Sequence, residues 1–142
     1  MKRVLGLDIG KVRIGVALSD PLGTFAQGIA VLDAGRGWIS ALKDIVEANS
    51  VGMIVVGMPV RTDGSRGPET EWVESIIEKI RREFEGIEIL TWDERFTTTV
   101  AVKSLIEGDV SRRRRKMVVD KVAASIMLQG FLENRRKGNG TS

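Results

Sequence analysis

Two short apolar runs near the N-terminus predict a β-hairpin. They cover Val4–Ile9 and Val12–Ser19 and are separated by the dipeptide Gly10-Lys11, whose order and length are typical of a tight hairpin turn. A third run, Phe25–Leu32, follows closely and is weakened as a strand by Gly28. The chain is therefore expected to begin as an antiparallel meander of three strands.

The rest of the chain alternates helical and extended patterns. Trp38–Ala48 has apolar residues at helical spacing, whereas Met53–Gly57 is the unbroken apolar run of a strand that is buried on both faces. Further along, the pattern predicts a helix, a strand and two more helices: Pro68 to about Gly86, Ile87–Trp92, Thr97 or Thr98 to about Glu107, and about Met117–Arg135. This order indicates the α/β class, with a five-stranded mixed sheet that joins an antiparallel meander to parallel strands and has helices on both faces.

The length of 142 residues and the hydrophobic content of 42% fit one domain with an ordinary core. We predict a single domain over residues 1–135 and a disordered tail over 136–142, because the last residues are mostly Gly, Asn, Thr and Ser. The longest nearly uncharged apolar stretch, Val51–Val60, is too short to cross a bilayer, and the N-terminus lacks the pattern of a secretory signal. A cytoplasmic protein with no membrane partner is therefore expected, and the sequence does not indicate its oligomeric state.

The sequence contains no histidine and no cysteine. This absence excludes a Ser-His-Asp triad, a Cys-His pair and an ordinary zinc site. An enzyme built from this chain must use carboxylates, hydroxyls, Lys, Arg and backbone groups, and clustered carboxylates suit Mg²⁺ or Mn²⁺. A metal-assisted reaction on phosphate is the chemistry that best fits these residue types.

Acidic residues stand at three element ends that a mixed sheet would bring to one side. They are Asp8 at the end of the first strand, Asp93 and Glu94 after the strand Ile87–Trp92, and Asp120 at the start of the final helix. Gly6 and Gly10 are expected to leave room for a ligand near Asp8. Asp120 shares a helical face with two alanines and several large apolar residues, so its carboxylate is expected to be buried and to need a cation, an ion pair or protonation. Taken alone, each acid is explained by a turn, a helix N-terminus or an ion pair, but their joint placement favours a shared divalent-ion site.

Basic residues are concentrated between the last two predicted helices. Five consecutive residues there, which we call the basic run, are candidates for nucleic-acid binding: Arg112, Arg113, Arg114, Arg115 and Lys116. Because the whole chain has a net charge of only +3, its remaining residues together are net negative. A basic loop of this kind suits phosphate binding, although a solvated loop without a ligand explains it equally well. Other cationic residues, close in sequence to the acids or in the loop after Pro59, are candidates for phosphate contacts or ion pairs: Lys11, Arg61, Arg66 and Arg95.

Four sequence blocks resemble the YqgF/RuvX family in order and spacing. They are Leu-Asp8-Ile-Gly-Lys-Val-Arg-Ile-Gly-Val-Ala, Ile-Val-Val-Gly57-Met-Pro-Val-Arg-Thr-Asp63-Gly64, Asp93-Glu94-Arg95-Phe-Thr-Thr98 and Asp120-Lys-Val-Ala-Ala-Ser-Ile-Met-Leu. The resemblance spans nearly the whole chain except the tail, and the four blocks together make it specific. One departure is Arg61-Thr62, where family members have an Asn and an apolar residue, so the resemblance assigns no side-chain role to that loop.

The resemblance implies an RNase H-like fold related to Holliday-junction resolvases of the RuvC type. It also implies a nuclease that processes the 5′ end of small-subunit precursor rRNA, with Asp8, Glu94 and Asp120 as its acidic triad. Successive strand side chains point to opposite faces, so only one of the two adjacent acids is expected to be a ligand. Glu94 is the predicted ligand, and Asp93 is the alternative.

The predicted function is hydrolysis of phosphodiester bonds in structured nucleic acid, assisted by Mg²⁺ or Mn²⁺ at the acidic triad. The expected partners are precursor rRNA or branched DNA, with the ribosomal subunit as a further candidate. Three alternatives stay open: a Holliday-junction DNA resolvase, a non-catalytic RNA-binding protein of ribosome assembly, and a nucleotide-binding lobe of the actin-like type. The last alternative requires a second lobe, because 142 residues supply only one.

Overall fold

The computed structural model describes residues 2–58, 67–93 and 112–141, and within the last range it describes the side chains of 118–136. Five strands and three helices lie in these ranges. In chain order they are β1 (Arg3–Ile9), β2 (Arg13–Ser19), β3 (Ala26–Asp33), α1 (Trp38–Ala48), β4 (Val51–Met58), α2 (Pro68–Glu83), β5 (Glu88–Asp93) and α3 (Arg112–Thr141). None of these described helices is both long enough and apolar enough to cross a membrane.

The five strands form one sheet in the order β3-β2-β1-β4-β5. β1, β2 and β3 pair antiparallel, and β4 and β5 continue the sheet from β1 in parallel, which confirms the predicted mixed sheet. Because β1, β4 and β5 run in the same direction, their carboxyl ends lie at one edge of the sheet, together with the start of β2. We call this edge, which contains Ile9, Arg13, Met58 and Asp93, the carboxyl edge.

Alternation along the strands gives the sheet two different faces. Leu5 and Leu7 of β1 lie on one face, in a core that also contains Leu42 of α1 and Ile80 of α2. The intervening residues of β1 lie on the other face, where Val4 belongs to a second core. The helix α3 supplies most of the buried side chains of that second core: Ala124, Met127, Leu128, Phe131 and Leu132. The helices therefore cover both faces, as predicted, with α1 and α2 on one side and α3 on the other.

Helix α3 packs directly on the backbone of the antiparallel strands. Gly15 and Gly28 lie beneath it, and a Cβ atom at either position would collide with a backbone carbonyl oxygen of the helix. Gly28, which weakens the strand pattern of β3, is therefore required for this close packing. A Cβ atom at Gly6 would lie 2.9 Å from the Cβ atom of Leu128. The expectation that Gly6 leaves room for a ligand is wrong, because α3 fills that space.

The structure corrects the start of the final helix. The basic run forms the first turns of α3 and is not a loop, so the prediction of a loop is wrong for all five residues: Arg112, Arg113, Arg114, Arg115 and Lys116. The physical reason is the high helix propensity of Arg and Lys. Asp120 consequently lies in the third turn of α3, which excludes the explanation that it serves the helix N-terminus.

The last helix also extends beyond its predicted end at Arg135, since α3 is described through Thr141. Extending an established helix costs much less than nucleating a new one, so polar residues of low helix propensity can follow a long helical segment. The division into a domain over 1–135 and a tail over 136–142 stays a prediction.

The remaining described elements lie within two residues of the predicted bounds at most ends. The connection between β1 and β2 is one residue longer than predicted, because Val12 belongs to it and is 65% exposed. This connection is closed by the N–H group of Gly10, which donates to the carbonyl oxygen of Arg13 at 2.9 Å. The helix that was predicted to end near Glu107 lies outside the described residues.

Candidate active site

Asp8 lies near the carboxyl edge, on the face of the sheet that α3 covers. It alternates with Leu7 and Ile9, which belong to the opposite core, and it pairs across the hairpin with Gly15. Asp8 is only 8% exposed, so its carboxylate is buried near the end of β1. A buried carboxylate is unfavourable unless hydrogen bonds, an ion pair or a metal compensate for the lost hydration.

The packing of α3 on β2 places Asp120 on the same face of the sheet as Asp8. Gly15, the cross-strand neighbour of Asp8, lies directly beneath the Asp120 backbone, since a Cβ atom on Gly15 would collide with the Asp120 carbonyl oxygen. Opposite residues of an antiparallel pair project to the same face of a sheet. Asp8 therefore projects to the side on which Asp120 lies, and the structure brings these two acids to one region of the fold.

Asp120 forms an ion pair, which was one of the predicted alternatives for this acid, and its partner is Arg13, which the sequence did not identify. The Arg13 Nε atom donates to Asp120 Oδ2 at 2.7 Å, and the two side chains are 30% and 22% exposed. Arg13 stands two residues before Gly15 in β2 and therefore projects to the same face. The alternation of Arg13, Gly15 and Ala17 was the available signal, but it identifies the pair only once Asp120 is known to lie above Gly15.

Two adjacent acids, Asp93 at the end of β5 and Glu94 after it, are expected on opposite faces of the sheet, and the structure describes Asp93. Trp92 packs against the core beneath α3, whereas Met58, the parallel-strand neighbour of Asp93, packs against the core on the α1 and α2 side. Asp93 thus lies on the side opposite Asp8, and the structure does not bring these two acids together. Glu94 lies outside the described residues, so its role as a ligand stays a prediction.

One of the predicted phosphate-binding residues has a described side chain. Lys11 is exposed in the connection between β1 and β2, three residues after Asp8. Three others, Arg61, Arg66 and Arg95, lie outside the described residues.

The basic run is described only as helical backbone, and it precedes Asp120 on α3 by about one to two helical turns. This placement holds for each of its members: Arg112, Arg113, Arg114, Arg115 and Lys116. Their role in nucleic-acid binding stays a prediction.

The donor atoms at this site are carboxylate oxygens. Asp8 and Asp120 supply two carboxylates, and within the described part of the chain no group of three or more acids could hold a metal ion. In a chain without His or Cys, such donors fit Mg²⁺ or Mn²⁺ and do not fit an ordinary zinc site. The third predicted ligand, Glu94, follows β5 in the sequence and lies outside the described residues.

The strand order and the two helical layers define the RNase H-like class of fold, and solved structures of similar fold support this class. The Fowlpox virus resolvase in complex with Holliday junction DNA is 12% identical, with a TM-score of 0.59 over 93% of this chain and 97% of that chain. Thermus thermophilus RuvC in complex with a Holliday junction substrate is also 12% identical, with a TM-score of 0.57 over 96% of each chain. At this level of identity the likeness shows the fold alone.

Sequence comparison identifies the family. A Desulforamulus reducens protein named "Putative pre-16S rRNA nuclease" is 46% identical over 137 residues, which cover 95% of this chain and 99% of the relative. A Clostridium tetani protein of the same name is 45% identical over 134 residues, covering 93% and 96% respectively. The family model described as RuvX: Holliday junction resolvase matches residues 2–134. The chain belongs to the RuvX family, which confirms the resemblance seen in the four sequence blocks.

Proposed function

We propose that this protein is a divalent-metal-dependent nuclease that hydrolyses phosphodiester bonds in structured nucleic acid. The placement of Asp8 and Asp120 is the observation that supports this proposal most directly. Asp8, which is buried on β1, and Asp120 of α3 lie on the same face of the sheet, one paired with Gly15 and the other with its backbone over Gly15. Arg13 pairs with Asp120, and carboxylates that share a site repel each other unless cations lie between them. Two carboxylates in one region therefore suit a divalent cation.

Asp8 and Asp120 would hold the cation, with Glu94 as the proposed third ligand. When bound, Mg²⁺ or Mn²⁺ promotes phosphodiester hydrolysis by activating water and by stabilising the leaving oxygen. The protein contributes the fixed placement of its two described carboxylates through the β1–β2 pairing and the packing of α3 on Gly15. Lys11 is exposed beside the site and is proposed to contact a phosphate of the bound strand.

The 5′ end of small-subunit precursor rRNA is the substrate that we propose. Its support is the pair of relatives named for pre-16S rRNA, which are 46% and 45% identical over 95% and 93% of this chain. Holliday junction DNA is the second candidate. Its support is the description of the family and the fold shared with two resolvases in complex with junction DNA, although these are only 12% identical.

The test is cleavage of end-labelled precursor rRNA and labelled four-way junction DNA by the purified protein with Mg²⁺, Mn²⁺ or chelator. Asp8→Asn, Asp120→Asn and Glu94→Gln should each lower the metal-dependent rate by at least about 10²-fold, because losing a ligand exceeds the effect of losing an outer hydrogen-bond partner. Asp93→Asn is the control, since it removes an adjacent carboxylate that lies on the opposite face of the sheet from Asp8. Its effect should be milder than that of Glu94→Gln.

The outcomes separate the competing functions. Full activity in chelator, or undiminished cleavage by Asp8→Asn, would contradict the proposal. A greater loss in Asp93→Asn than in Glu94→Gln would reverse the choice of the third ligand. Binding of RNA without cleavage in any metal would favour a non-catalytic assembly protein, and ATP hydrolysis without nuclease activity would favour the actin-like nucleotide-binding lobe.

We also propose that the basic run forms part of the nucleic-acid interface, because it lies on the same helix as Asp120 and within about two turns of it. If its five side chains contact about three to five phosphates, replacing them with Gln should weaken binding and flatten the dependence of log affinity on log salt. The slope should change by roughly 0.9 per lost contact on duplex DNA and about 0.7 on single strands. Fluorescence anisotropy at several salt concentrations measures this slope. An unchanged slope would leave other basic residues as candidates for the interface: Arg61, Arg66 and the C-terminal cluster Arg135, Arg136 and Lys137.

A further inference from the structure

We propose that Arg13 is a positioning residue, which orients the carboxylate of Asp120 for cation binding. The inference rests on the proposed function, because it assigns Arg13 a role in the same acidic site. The observation behind it is the 2.7 Å hydrogen bond from Arg13 Nε to Asp120 Oδ2, made between β2 and α3 across 107 residues of sequence. This bond engages Oδ2 and so fixes the orientation of the carboxylate that would hold the cation.

The backbone of Arg13 is held firmly enough for such a role. Its carbonyl oxygen accepts a hydrogen bond from the N–H group of Gly10 at 2.9 Å, and Arg13 is paired in register with Asp33 of β3. On the other side of the ion pair, the backbone of Asp120 lies against Gly15, where no side chain separates helix from strand. Both partners are therefore fixed at the backbone, and the ion pair fixes the remaining side-chain rotation of Asp120.

The exposure of the pair argues that its main contribution is to the site and not to overall stability. Arg13 and Asp120 retain 30% and 22% of their side-chain exposure, and ion pairs that keep contact with water contribute little to folding. Outer partners of metal-binding carboxylates, by contrast, typically change metal affinity or activity by about 10- to 100-fold when they are removed. The planar guanidinium of Arg13 also donates a directional hydrogen bond from Nε. A lysine at this position would supply the positive charge but not this geometry.

The experiment measures Mn²⁺ binding by isothermal titration calorimetry on the folded protein without nucleic acid. Arg13→Met should weaken Mn²⁺ binding by about tenfold or more. The matched control is Arg3→Met, which removes the same charge from β1 at the sheet edge opposite the site and should bind Mn²⁺ as the parent does. Arg13→Lys is the conservative variant, which retains the positive charge and is expected to fold. It should still bind Mn²⁺ more weakly than the parent, because lysine cannot reproduce the Nε geometry.

A thermal-unfolding cycle in chelator tests the contact itself without any metal. Because Arg13 and Asp120 touch, the double variant Arg13→Met, Asp120→Asn should lose less stability than the two single variants lose together. Additive losses would overturn the inference, since they would show that the two side chains do not interact in solution.

The binding data distinguish a failure of this inference from a failure of the proposed function. A parent protein that binds Mn²⁺, with Arg13→Met and Arg3→Met binding it equally well, overturns the role of Arg13 alone. If Arg13→Lys binds Mn²⁺ as tightly as the parent, the positioning role of Arg13 is overturned, because a positive charge alone would then be sufficient for binding. A parent protein that neither binds Mn²⁺ nor cleaves nucleic acid overturns the proposed function and this inference with it.

Discussion

The two faces of the sheet are packed in different ways. On the α1 and α2 side, large aliphatic side chains fill the space between sheet and helices, and those that are fully buried include Leu5, Leu7, Leu42 and Ile80. On the α3 side, small residues lie where α3 contacts the strands, so the helix and strand backbones almost touch. These small residues include Gly6, Gly15, Ala17, Gly28, Ala123 and Ala124. The large side chains on the α1 and α2 side remove apolar surface from water, whereas the close backbone contact on the α3 side fixes the position of the helix.

The polar contacts of the two faces differ in the same way. The ion pair that joins α1 to α2, between Lys43 and Glu83, is 45% and 47% exposed, so it remains largely in contact with water. On the α3 side, Gln129 accepts a hydrogen bond from the N–H group of Ala26 at 2.8 Å and donates to the carbonyl oxygen of Thr24 at 3.0 Å. These bonds and the Arg13 ion pair tie α3 to the antiparallel strands. On the face that carries Asp8 and Asp120, these contacts therefore fix the position of α3 relative to the strands.

The largest effects are expected from one substitution on each face of the sheet. Gly15→Ala and Leu7→Ala should each lower the free energy of unfolding by about 3 kcal/mol, the first by pushing the Asp120 backbone away and the second by leaving a cavity. Only Gly15→Ala should also lower Mn²⁺ affinity and cleavage in the fraction that remains folded. The loss should approach about 10²-fold if Asp120 moves by about 1 Å. Denaturant unfolding and Mn²⁺ titration below the melting transition measure the two effects.

A glycine with a yielding neighbour provides the control for this prediction. A Cβ atom at the exposed Gly35 would lie 3.0 Å from Oδ1 of Asp33, the end of an exposed side chain that can shift by a few tenths of an ångström. Gly35→Ala should therefore change the free energy of unfolding by no more than about 0.5 kcal/mol. Equal losses of Mn²⁺ affinity in Gly15→Ala and Leu7→Ala would show that general loosening, and not the position of α3, controls the site.

A smaller effect is expected from the loop that leads into β3. The N–H groups of Phe25 and Thr24 donate to Asp20 Oδ1 and hold the pKa of Asp20 below its usual value of 3.8. Because the pKa is lower in the folded than in the unfolded protein, the charged carboxylate stabilises the fold above the usual pKa, and this stability is lost as pH falls through the lowered value. Asp20→Asn should therefore melt slightly below the parent at pH 7, with a difference that disappears in acid.

Thermal melts of both proteins between neutral pH and about pH 2 test this prediction. Asp44→Asn, at an exposed position in the middle of α1, removes one negative charge and serves as the control. A difference between Asp20→Asn and the parent that stays constant down to acid pH would show that the carboxylate charge is not the cause.

The elements whose signal is local were predictable. α1 was predicted with the bounds that it has, Trp38–Ala48, because its apolar residues recur at helical spacing over three turns. The strands that form the hairpin and the buried strand β4 were also found, since alternation and unbroken apolar runs reflect burial directly. Local patterns were weaker at the last helix, where the basic run suggested a loop although Arg and Lys favour helix.

The sequence by itself determined the kinds of element, the mixed sheet, the family and the types of side chain available for chemistry. In a chain with neither His nor Cys, the carboxylates of Asp8 and Asp120 could be singled out from residue types and periodicity alone. Tertiary structure decided which residues meet: Gly15 lies under Asp120, and Arg13 reaches the same carboxylate across 107 residues of chain. Such contacts depend on strand register and on the distance between helix and sheet. Both are set by packing over the whole molecule, and no local pattern in the sequence specifies them.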